Sequence, residues 1–355
     1  MTTFLHGGDI RGAAERSGRR EAELLDFSAN INPFGMPPGV REAVIESLDA
    51  SLNYPDPFCR RLRAALSEQL GQPEERILCG NGGADLIYRL VYALRPKRAL
   101  VTAPAFAEYE EAMNQVGTGI DFFPLGKTLE ITEGYVDSLC EEHDLVFLCN
   151  PNNPTGTLTP VCLVKKLLDR AKELSVSVCL DECFLDFVEE EEACSAVKWL
   201  SEYPNLVILK SFTKMYAIPG LRLGYVLSAD TGLLERMRLA GQPWAVSGPA
   251  QAAGIAALRA KGFREKTIAL IEKERTFLRT EMEKLGLRVF DGHANYLCFQ
   301  APGDGTLADR MEEEGILIRR CANYHGLGPD YYRIAVRGHE ENEKLLAALV
   351  RRWSN

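Results

Sequence analysis

Short apolar runs alternate with amphipathic segments through the first two thirds of the chain. The runs at 145–149, 176–180 and 206–209 contain few polar residues, which is typical of strands buried on both faces. Segments with helical spacing, among them 60–70 and 160–174, lie between such runs. This alternation predicts an α/β fold with a mostly parallel central sheet and helices on both of its faces.

The pattern changes after Gly241. A long charged helical segment, 264–286, is followed by three shorter strand-like runs and a closing helix. Strands interleaved with helices over so short a stretch indicate a second, smaller α/β unit. We therefore expect a large domain over 38–240. The smaller domain is expected to combine 241–355 with the N-terminal arm 1–37, which is rich in Gly, Asn and Pro.

Composition and charge narrow the classes of function. The 355 residues carry a formal net charge of −9, which disfavours binding to nucleic acid or to an anionic membrane surface. No apolar run approaches the ~20 residues that span a bilayer, and the first residues lack the apolar core of a signal peptide. The ten cysteines form no C-x-x-C pair and the five histidines no H-x-x-x-H pair. We therefore expect a cytoplasmic protein with free thiols and no metal site.

The segment 210–225, KSFTKMYAIPGLRLGY, carries the densest candidate chemistry. Ser211, Thr213 and Lys214 come just after an apolar run, and Arg222 follows in a glycine-flanked turn. A lysine amine can form a Schiff base with an aldehyde, and hydroxyls with a guanidinium can hold a phosphate. Pyridoxal phosphate (PLP) carries both of these groups. The alternative interpretation is a strand, a turn and a surface lysine.

A glycine turn follows the predicted strand at 76–79. Gly82 and Gly83 open a predicted helix there, and bare amides at a helix N-terminus bind anions. The competing interpretation is a dinucleotide-binding fingerprint. The third glycine of that fingerprint is missing, which weakens the hypothesis of a nicotinamide cofactor.

Three further candidates fall where other strands are predicted to end. Phe106 can stack on an aromatic ring or simply pack in the core. Asn153 lies in NPNNPTG, a rigid turn, and its amide can donate to a phenolate oxygen. Asp181 follows an apolar run, and a carboxylate there is costly unless it is paired. A pyridinium N–H, a salt bridge and a helix cap are the partners we consider for it.

The order of these residues resembles the PLP enzymes of the aspartate-aminotransferase fold, fold type I, over nearly the whole chain. By that resemblance Lys214 is the Schiff-base lysine, Asp181 the partner of the pyridine nitrogen, and Asn153 the ligand of the phenolic oxygen. Phe106 matches the stacking ring. The phosphate cup is assigned to Gly82, Gly83, Ser211, Thr213 and Arg222. The family also implies a homodimer, in which Tyr54 reaches the cofactor phosphate of the neighbouring subunit.

Within that fold the chain is similar to the histidinol-phosphate aminotransferases and, more narrowly, to the threonine-phosphate decarboxylases of cobalamin biosynthesis. The similarity rests on HGGDI (6–10), DFSANINPFG (26–35), DECFLDF (181–187) and IRRCANYHGLG (318–328). The aminotransferases tend to carry a tyrosine three residues after the aspartate, where this chain has Phe184.

The resemblance implies a small phosphorylated amino-acid substrate, L-threonine O-3-phosphate. Arg333 matches the arginine for the substrate carboxylate, and Arg319 matches one that meets the substrate phosphate. His6 and Asn32 match N-terminal residues that close over the substrate, and Arg337 is a second candidate anion ligand. The alternative for Arg319, Arg320 and Arg337 is a solvated basic face, and for His6 a surface histidine.

The residues alone leave the reaction open. A PLP enzyme breaks the Cα bond that lies perpendicular to the cofactor ring, and the same side chains serve decarboxylation or transamination. The resemblance favours decarboxylation to (R)-1-amino-2-propanol O-2-phosphate, with an aminotransferase of the histidinol-phosphate type as the alternative. The intact lysine, aspartate and arginine set disfavours a regulator without turnover.

Overall fold

The structure, a computed structural model, describes residues 6–353, so that 1–5 and 354–355 of the predicted smaller domain lie outside it. The strands are β1 Leu25–Asp26, β2 Ile77–Gly80, β3 Arg98–Ala103, β4 Gly119–Pro124, β5 Leu145–Cys149, β6 Ser177–Asp181, β7 Leu206–Ser211, β8 Gly224–Ser228, β9 Arg288–Val289, β10 Tyr296–Gln300, β11 Ile316–Leu317, β12 Arg319–Arg320 and β13 Tyr331–Ala335. The helices are α1 Ile10–Ser17, α2 Val40–Ser47, α3 Arg60–Leu70, α4 Gly82–Leu94, α5 Ala107–Asn114, α6 Glu133–Asp137, α7 Val161–Glu173, α8 Glu191–Cys194, α9 Phe212–Met215, α10 Thr231–Leu239, α11 Gly248–Leu258, α12 Phe263–Lys284, α13 Leu307–Glu313 and α14 His339–Trp353.

The largest sheet of the described chain has seven strands in the order β2-β8-β7-β6-β5-β3-β4. Its strand pairs are parallel except for the two that involve β8. Helices connect successive parallel strands, as such connections require. The predicted α/β fold with a mostly parallel sheet is confirmed.

Side chains of the central strands alternate between two cores, one on each face of this sheet. In β5, Val146 and Leu148 enter the core shared with α3, α7 and α11. Leu145 and Phe147 enter the core shared with α4, α5 and α10. Neither face meets water, which explains why the apolar run carries no regular polar position.

A third core surrounds a four-stranded antiparallel sheet in the order β12-β13-β10-β9. The segment just before residue 30 joins this part of the molecule: β1 pairs in parallel with β11. Phe27 accepts a hydrogen bond from Ala335 N at 2.8 Å and donates one to Leu317 O at 2.8 Å. The chain's beginning is thereby tied to strands near its end.

Neither a membrane span nor a metal cluster emerges from residues 6–353. No helix in that range has both the length and the apolar character needed to cross a bilayer. Within the same range, no group of three or more His, Cys, Asp or Glu side chains is placed to hold a metal ion.

Candidate active site

The residues assigned to PLP gather at the carboxyl edge of the seven-stranded sheet. Asp181 ends β6, and Asn153 follows β5. Ser211 ends β7 and caps α9, which contains Lys214. Gly82 opens α4 two residues after β2 ends. Parallel strands end at one edge of a sheet, so positions distant in the sequence converge there.

Lys214 is a partly buried lysine held as a good nucleophile. Burial, together with the Arg333 and Arg222 guanidinium groups, lowers the pKa of Lys214 to about 8. No described carboxylate forms an ion pair with it, and its Nζ lies 5.9 Å from the centre of the Phe184 ring. A larger fraction of this amine is therefore neutral near pH 7 than for an ordinary lysine, and the neutral form is the one that attacks an aldehyde.

Asp181 is a buried carboxylate whose hydrogen-bond donors are neutral. The Tyr109 hydroxyl donates to Oδ2 at 2.6 Å, and the Cys183 backbone N–H donates to Oδ1 at 2.9 Å. Burial raises the pKa of Asp181, while these two donors lower it. No described lysine, arginine or histidine forms an ion pair with it. A cationic N–H would supply the missing charge compensation.

The turn between β2 and α4 forms a cradle without side chains. Gly82 has φ +85°, and a Cβ there would lie 2.4 Å from Arg222 Nη2. A Cβ on Gly224 would lie 2.9 Å from the Gly83 amide nitrogen. Bare amides at the first turn of a 13-residue helix, facing a guanidinium, are suited to a phosphate.

The hydroxyls of Ser211 and Thr213 complete this region. Their oxygens lie 2.8 Å apart, and either can donate to the other. Both residues are buried at the start of α9. One hydroxyl donor remains for an anion when the other donates within the pair.

Two buried arginines occupy paired positions of the smaller sheet. Arg319 of β12 faces Arg333 of β13 in antiparallel register, so their side chains leave the same face. Both residues are less than one tenth exposed. Like charges placed this way repel each other, and they are stabilised by anionic groups bound between them.

Arg333 is fixed by neutral acceptors. Its Nη1 donates to Asn153 Oδ1 at 2.6 Å, its Nη2 donates to Ser28 O at 2.9 Å, and its buried Nε has no partner. This contact turns the oxygen of the Asn153 amide toward Arg333. The Asn153 NH₂ group therefore points away from Arg333, and in that orientation it can donate a hydrogen bond to a phenolic oxygen.

A cleft of about 1280 Å³ borders Arg319 but reaches neither Arg333 nor Lys214. Its lining includes His6, Ser28, Arg319, Arg320 and Asn323. Arg319 Nη2 donates to Asn323 Oδ1 at 2.8 Å. His6 forms an ion pair with Glu108 at 2.7 Å, and that contact lowers the pKa of Glu108. The His6 and Phe106 rings are 6.2 Å apart.

The N-terminal arm is held across the site by two glycines. A Cβ on Gly7 would lie 2.2 Å from Ser28 O, so no other residue fits without a shift of the backbone. Gly8 has φ +92°, and its amide donates to Ser28 Oγ at 2.8 Å. These contacts place His6 beside the cleft.

Three predicted residues have their side chains engaged away from this pocket. Asn32 donates to Met215 O and to Thr267 Oγ1, each at 2.8 Å, while its backbone N–H donates to Lys214 O. Arg337 donates to Asp26 O at 3.0 Å and pairs with Glu341 at 2.7 Å. Tyr54 is 79% exposed and stacks on Trp244 at 4.4 Å.

Two residues of the site, Tyr109 and Ser28, are not predicted from the sequence. Tyr109 follows Phe106 by three residues, so helical spacing after the strand end could have placed both rings on one side of α5. Ser28 acts through its carbonyl oxygen, which no pattern of side chains reveals.

The geometry fits PLP part by part. The amine of Lys214 suits its aldehyde, the carboxylate of Asp181 suits its ring nitrogen, and the Asn153 amide suits its phenolic oxygen. The glycine cradle with Arg222 suits its phosphate. The arginine pair at 319 and 333 lies beyond these and suits an anionic substrate.

Known proteins share this architecture over their full length. Residues 22–349 match the family described as Aminotransferase class I and II. A threonine-phosphate decarboxylase of Salmonella typhimurium is 40% identical over 348 residues, covering 97% of this chain and 95% of that protein. A histidinol-phosphate aminotransferase of Cupriavidus pinatubonensis is 30% identical over 359 residues, covering 99% and 94%. The crystal structure of the histidinol-phosphate aminotransferase from Clostridium acetobutylicum has a TM-score of 0.88 and 31% identity, with coverage of 94% and 100%. These matches confirm the resemblance drawn from the sequence: the chain belongs to the class I and II aminotransferase family.

Proposed function

We propose that the protein is a PLP-dependent lyase that decarboxylates L-threonine O-3-phosphate to (R)-1-amino-2-propanol O-2-phosphate, a step of cobalamin biosynthesis. The observation that carries this proposal is the buried arginine pair, Arg319 and Arg333, in direct register. A substrate with a carboxylate and a phosphate on one short carbon chain can bind both guanidinium groups at once. The 40% identity to a threonine-phosphate decarboxylase supports the same substrate.

Each of the assigned residues has a different role in the proposed reaction. PLP, when bound, supplies an electron sink that accepts the pair released when a bond at the substrate Cα breaks. Asp181 would hold the proton on the ring nitrogen, and Lys214 in its protonated ammonium form would donate a proton to Cα in place of the departed carbon dioxide. Arg333 binds the substrate carboxylate, Arg319 binds its phosphate, and His6 on the arm covers the cleft.

We also propose a homodimer in which Tyr54 contacts the cofactor phosphate bound by the other subunit. The support is an exposed apolar surface beside Tyr54, formed by Ile45, Leu48, Leu52, Phe58, Leu239 and Trp244. The Arg238 guanidinium lies 5.5 Å over the Phe58 ring, which joins the two parts of this surface. Monomers rarely expose apolar surface on this scale unless it binds a partner. Sedimentation of a fully active monomer would contradict the proposal.

We further propose that the protein is cytoplasmic and that its chain forms two domains. All ten cysteines are free, which fits the reducing cytoplasm. We assign 38–240 to the large PLP-binding domain and 1–37 with 241–355 to the smaller one. The substrate then lies where the Lys214 turn meets the strands that carry the arginines.

The deciding experiment supplies the PLP-loaded enzyme with threonine phosphate and no keto-acid acceptor. We expect stoichiometric release of carbon dioxide and the amino-alcohol phosphate. A parallel reaction supplies histidinol phosphate with 2-oxoglutarate. Glutamate formation there, with no carbon dioxide from threonine phosphate, would make the enzyme an aminotransferase and overturn the proposal.

A further inference from the structure

We propose that Tyr109 is a positioning residue that keeps the Asp181 carboxylate ionised and directed at the PLP ring nitrogen. The inference rests on the PLP-binding part of the proposed function and is independent of which substrate is decarboxylated. Tyr109 touches neither the assigned lysine nor the arginines. It acts through Asp181.

The contact is short and fully enclosed. The Tyr109 hydroxyl oxygen lies 2.6 Å from Asp181 Oδ2, and both side chains are buried. The Cys183 amide occupies Oδ1 at 2.9 Å. Each carboxylate oxygen accepts about two hydrogen bonds, so one further acceptor position on each oxygen remains for a ring N–H.

The tyrosine ring is clamped by its aromatic neighbours. It stacks on Phe147 with centroids 4.5 Å apart and an angle of 15°. It meets Phe106 edge-on at 5.7 Å and 86°. Phe106 is the N-cap of α5, so one turn of chain places both the assigned stacking ring and the donor to Asp181.

The electrostatics fix the direction of donation. Burial and the nearby Asp181 charge raise the pKa of Tyr109 well above its usual value, so its hydroxyl keeps the proton and donates. Burial alone would favour a protonated Asp181, and a protonated carboxyl cannot hold a second proton on the ring nitrogen. The charge-assisted bond from Tyr109 opposes that outcome.

The test compares the PLP-loaded parent with Tyr109→Phe, using PLP labelled with ¹⁵N in its ring. Phenylalanine retains the stacking and removes only the hydroxyl. We expect the ¹⁵N resonance to move toward that of neutral pyridine. We expect kcat to fall about 10- to 100-fold, since bonds to charged groups contribute more than neutral ones. The KM for threonine phosphate should stay within about twofold, because Tyr109 contributes nothing to substrate binding.

Tyr135→Phe is the matched control. Tyr135 is also fully buried, and its hydroxyl donates to Phe147 O at 2.5 Å. Its loss removes a buried hydrogen bond without touching Asp181. The ¹⁵N resonance and kcat should remain those of the parent.

The possible results either support the role of Tyr109 or overturn it. A parent ¹⁵N resonance in Tyr109→Phe, or an equal shift in Tyr135→Phe, overturns the inference. A shift in Tyr109→Phe alone supports it even where threonine phosphate releases no carbon dioxide, in which case only the proposed substrate fails. Should Tyr109→Phe not fold, replacement by 4-aminophenylalanine retains a weaker donor in the same ring. An intermediate resonance in that variant supports the inference, and an unchanged one overturns it.

Discussion

Two pairs of charged residues lie near the ends of the central strands: Asp181 with Lys214, and Glu182 with Lys210. They differ in whether other residues of the chain compensate their charges. Asp181 and Glu182 are adjacent, and Lys210 and Lys214 are four residues apart. Successive side chains at the end of a strand point to opposite faces. Asp181 therefore faces the pocket and Glu182 the interior. Lys210 lies within β7 and reaches the interior carboxylates, whereas Lys214 lies beyond the end of that strand, in α9.

The charges of the interior pair, Glu182 and Lys210, are compensated by neighbouring groups. Glu182 accepts from Ser195 Oγ at 2.7 Å and from Ala196 N at 2.8 Å, and Lys210 lies 3.3 Å away. Lys210 also pairs with Glu191 at 2.7 Å. Burial opposes the charge on Lys210, but the surrounding carboxylates outweigh it and hold the pKa of Lys210 well above its usual value.

The pair that faces the pocket, Asp181 and Lys214, has no oppositely charged partner of this kind among the described residues. The pKa of Lys214 is lowered to about 8 by burial and neighbouring arginines, and Asp181 is held by a hydroxyl and an amide. A buried charge satisfied within the chain is structural, whereas one held only by neutral donors is arranged for a ligand. The first predictions below test this distinction by exchanging members of the two pairs, and the later ones exchange charged residues beside them.

The largest effect is expected for Lys214→Ala. It removes the amine that attacks the aldehyde and moves the proton, so decarboxylation and the visible absorbance of lysine-bound PLP should both disappear. The unfolding midpoint of the apoprotein should change little, because Lys214 forms no ion pair with the described carboxylates. Full carbon dioxide release by the purified variant would refute the assignment.

Lys210→Met should act on stability. It leaves Glu182 and its carboxylate neighbours buried without their common cation, which costs about 3–5 kcal/mol. Urea unfolding of the apoprotein measures the change. Lys198→Met, at an exposed lysine, is the control and should cost less than about 1 kcal/mol. Equal stability of the two variants would show that the interior cluster contributes nothing.

Asp181→Asn should lower kcat by about 100- to 1000-fold, comparable to the loss of one electrostatic group in an active site. An amide cannot compensate a positive ring nitrogen. PLP should still bind through its phosphate and the lysine. Glu182→Gln is the neighbouring control and should reduce stability with kcat largely retained. A kcat for Asp181→Asn within a few-fold of the parent would argue against the pyridinium role.

Arg319→Ala should weaken binding of threonine phosphate by about 2–4 kcal/mol, the cost of breaking an enclosed charge pair. The KM rises accordingly, while the slow reaction with unphosphorylated threonine is hardly affected. Arg320→Ala is the adjacent control, because Arg320 pairs with Asp309 on the surface. Equal losses on both substrates would make Arg319 structural.

The smallest effect concerns Asp186, at the edge of the interior cluster. Lys210 and Arg264 supply two positive charges there against Glu182, Asp186 and Glu191. Burial raises the pKa of Asp186 to about 7, which leaves one carboxyl neutral and the cluster balanced.

A raised pKa in the folded state contributes stability that is fully present below the unfolded-state pKa and is lost as the pH rises through the folded-state value. Between pH 5 and pH 7 the parent should therefore lose about 1 kcal/mol per pH unit more than Asp186→Asn. Urea unfolding at pH 5, 6 and 7 measures both slopes. Parallel slopes would contradict the raised pKa.

The sequence predicts the fold and the positions of Asp181 and Lys214 well, for a physical reason. Strands that are buried on both faces consist mostly of apolar residues. A polar residue just after such a run therefore lies at the carboxyl ends of the strands, where ligands bind. The distinction between Lys210 and Lys214 is not visible at that level. Both follow the same apolar run in the sequence, but in the structure Lys210 belongs to β7 and Lys214 to α9, and this placement decides which one meets carboxylates.

Other parts of the site depend on contacts between distant segments. Tyr109 and Asp181 meet because the Tyr109 ring of α5 stacks on Phe147 of β5, next to the end of β6, and Ser28 contributes a backbone oxygen. Arg337 has the same local sequence character as Arg333, but Glu341, one helical turn further on, occupies it. Such partners follow from tertiary packing and cannot be deduced from spacing alone.

The pairing of the N-terminal segment with the last strands has a consequence for biosynthesis. Arg333 donates to Ser28 O across 305 positions of sequence, and β1 can pair only after β11 has been made. Contacts this distant form late and slowly. A ribosome releases the lysine, the glycine cradle and the strands that carry them long before the arginine register exists. Until then Phe27 and its apolar neighbours have no strand to cover them, so the demand for chaperones should persist until residues 316–335 have left the ribosome. A chain stalled at that stage would contain the residues for the cofactor without those that select a substrate.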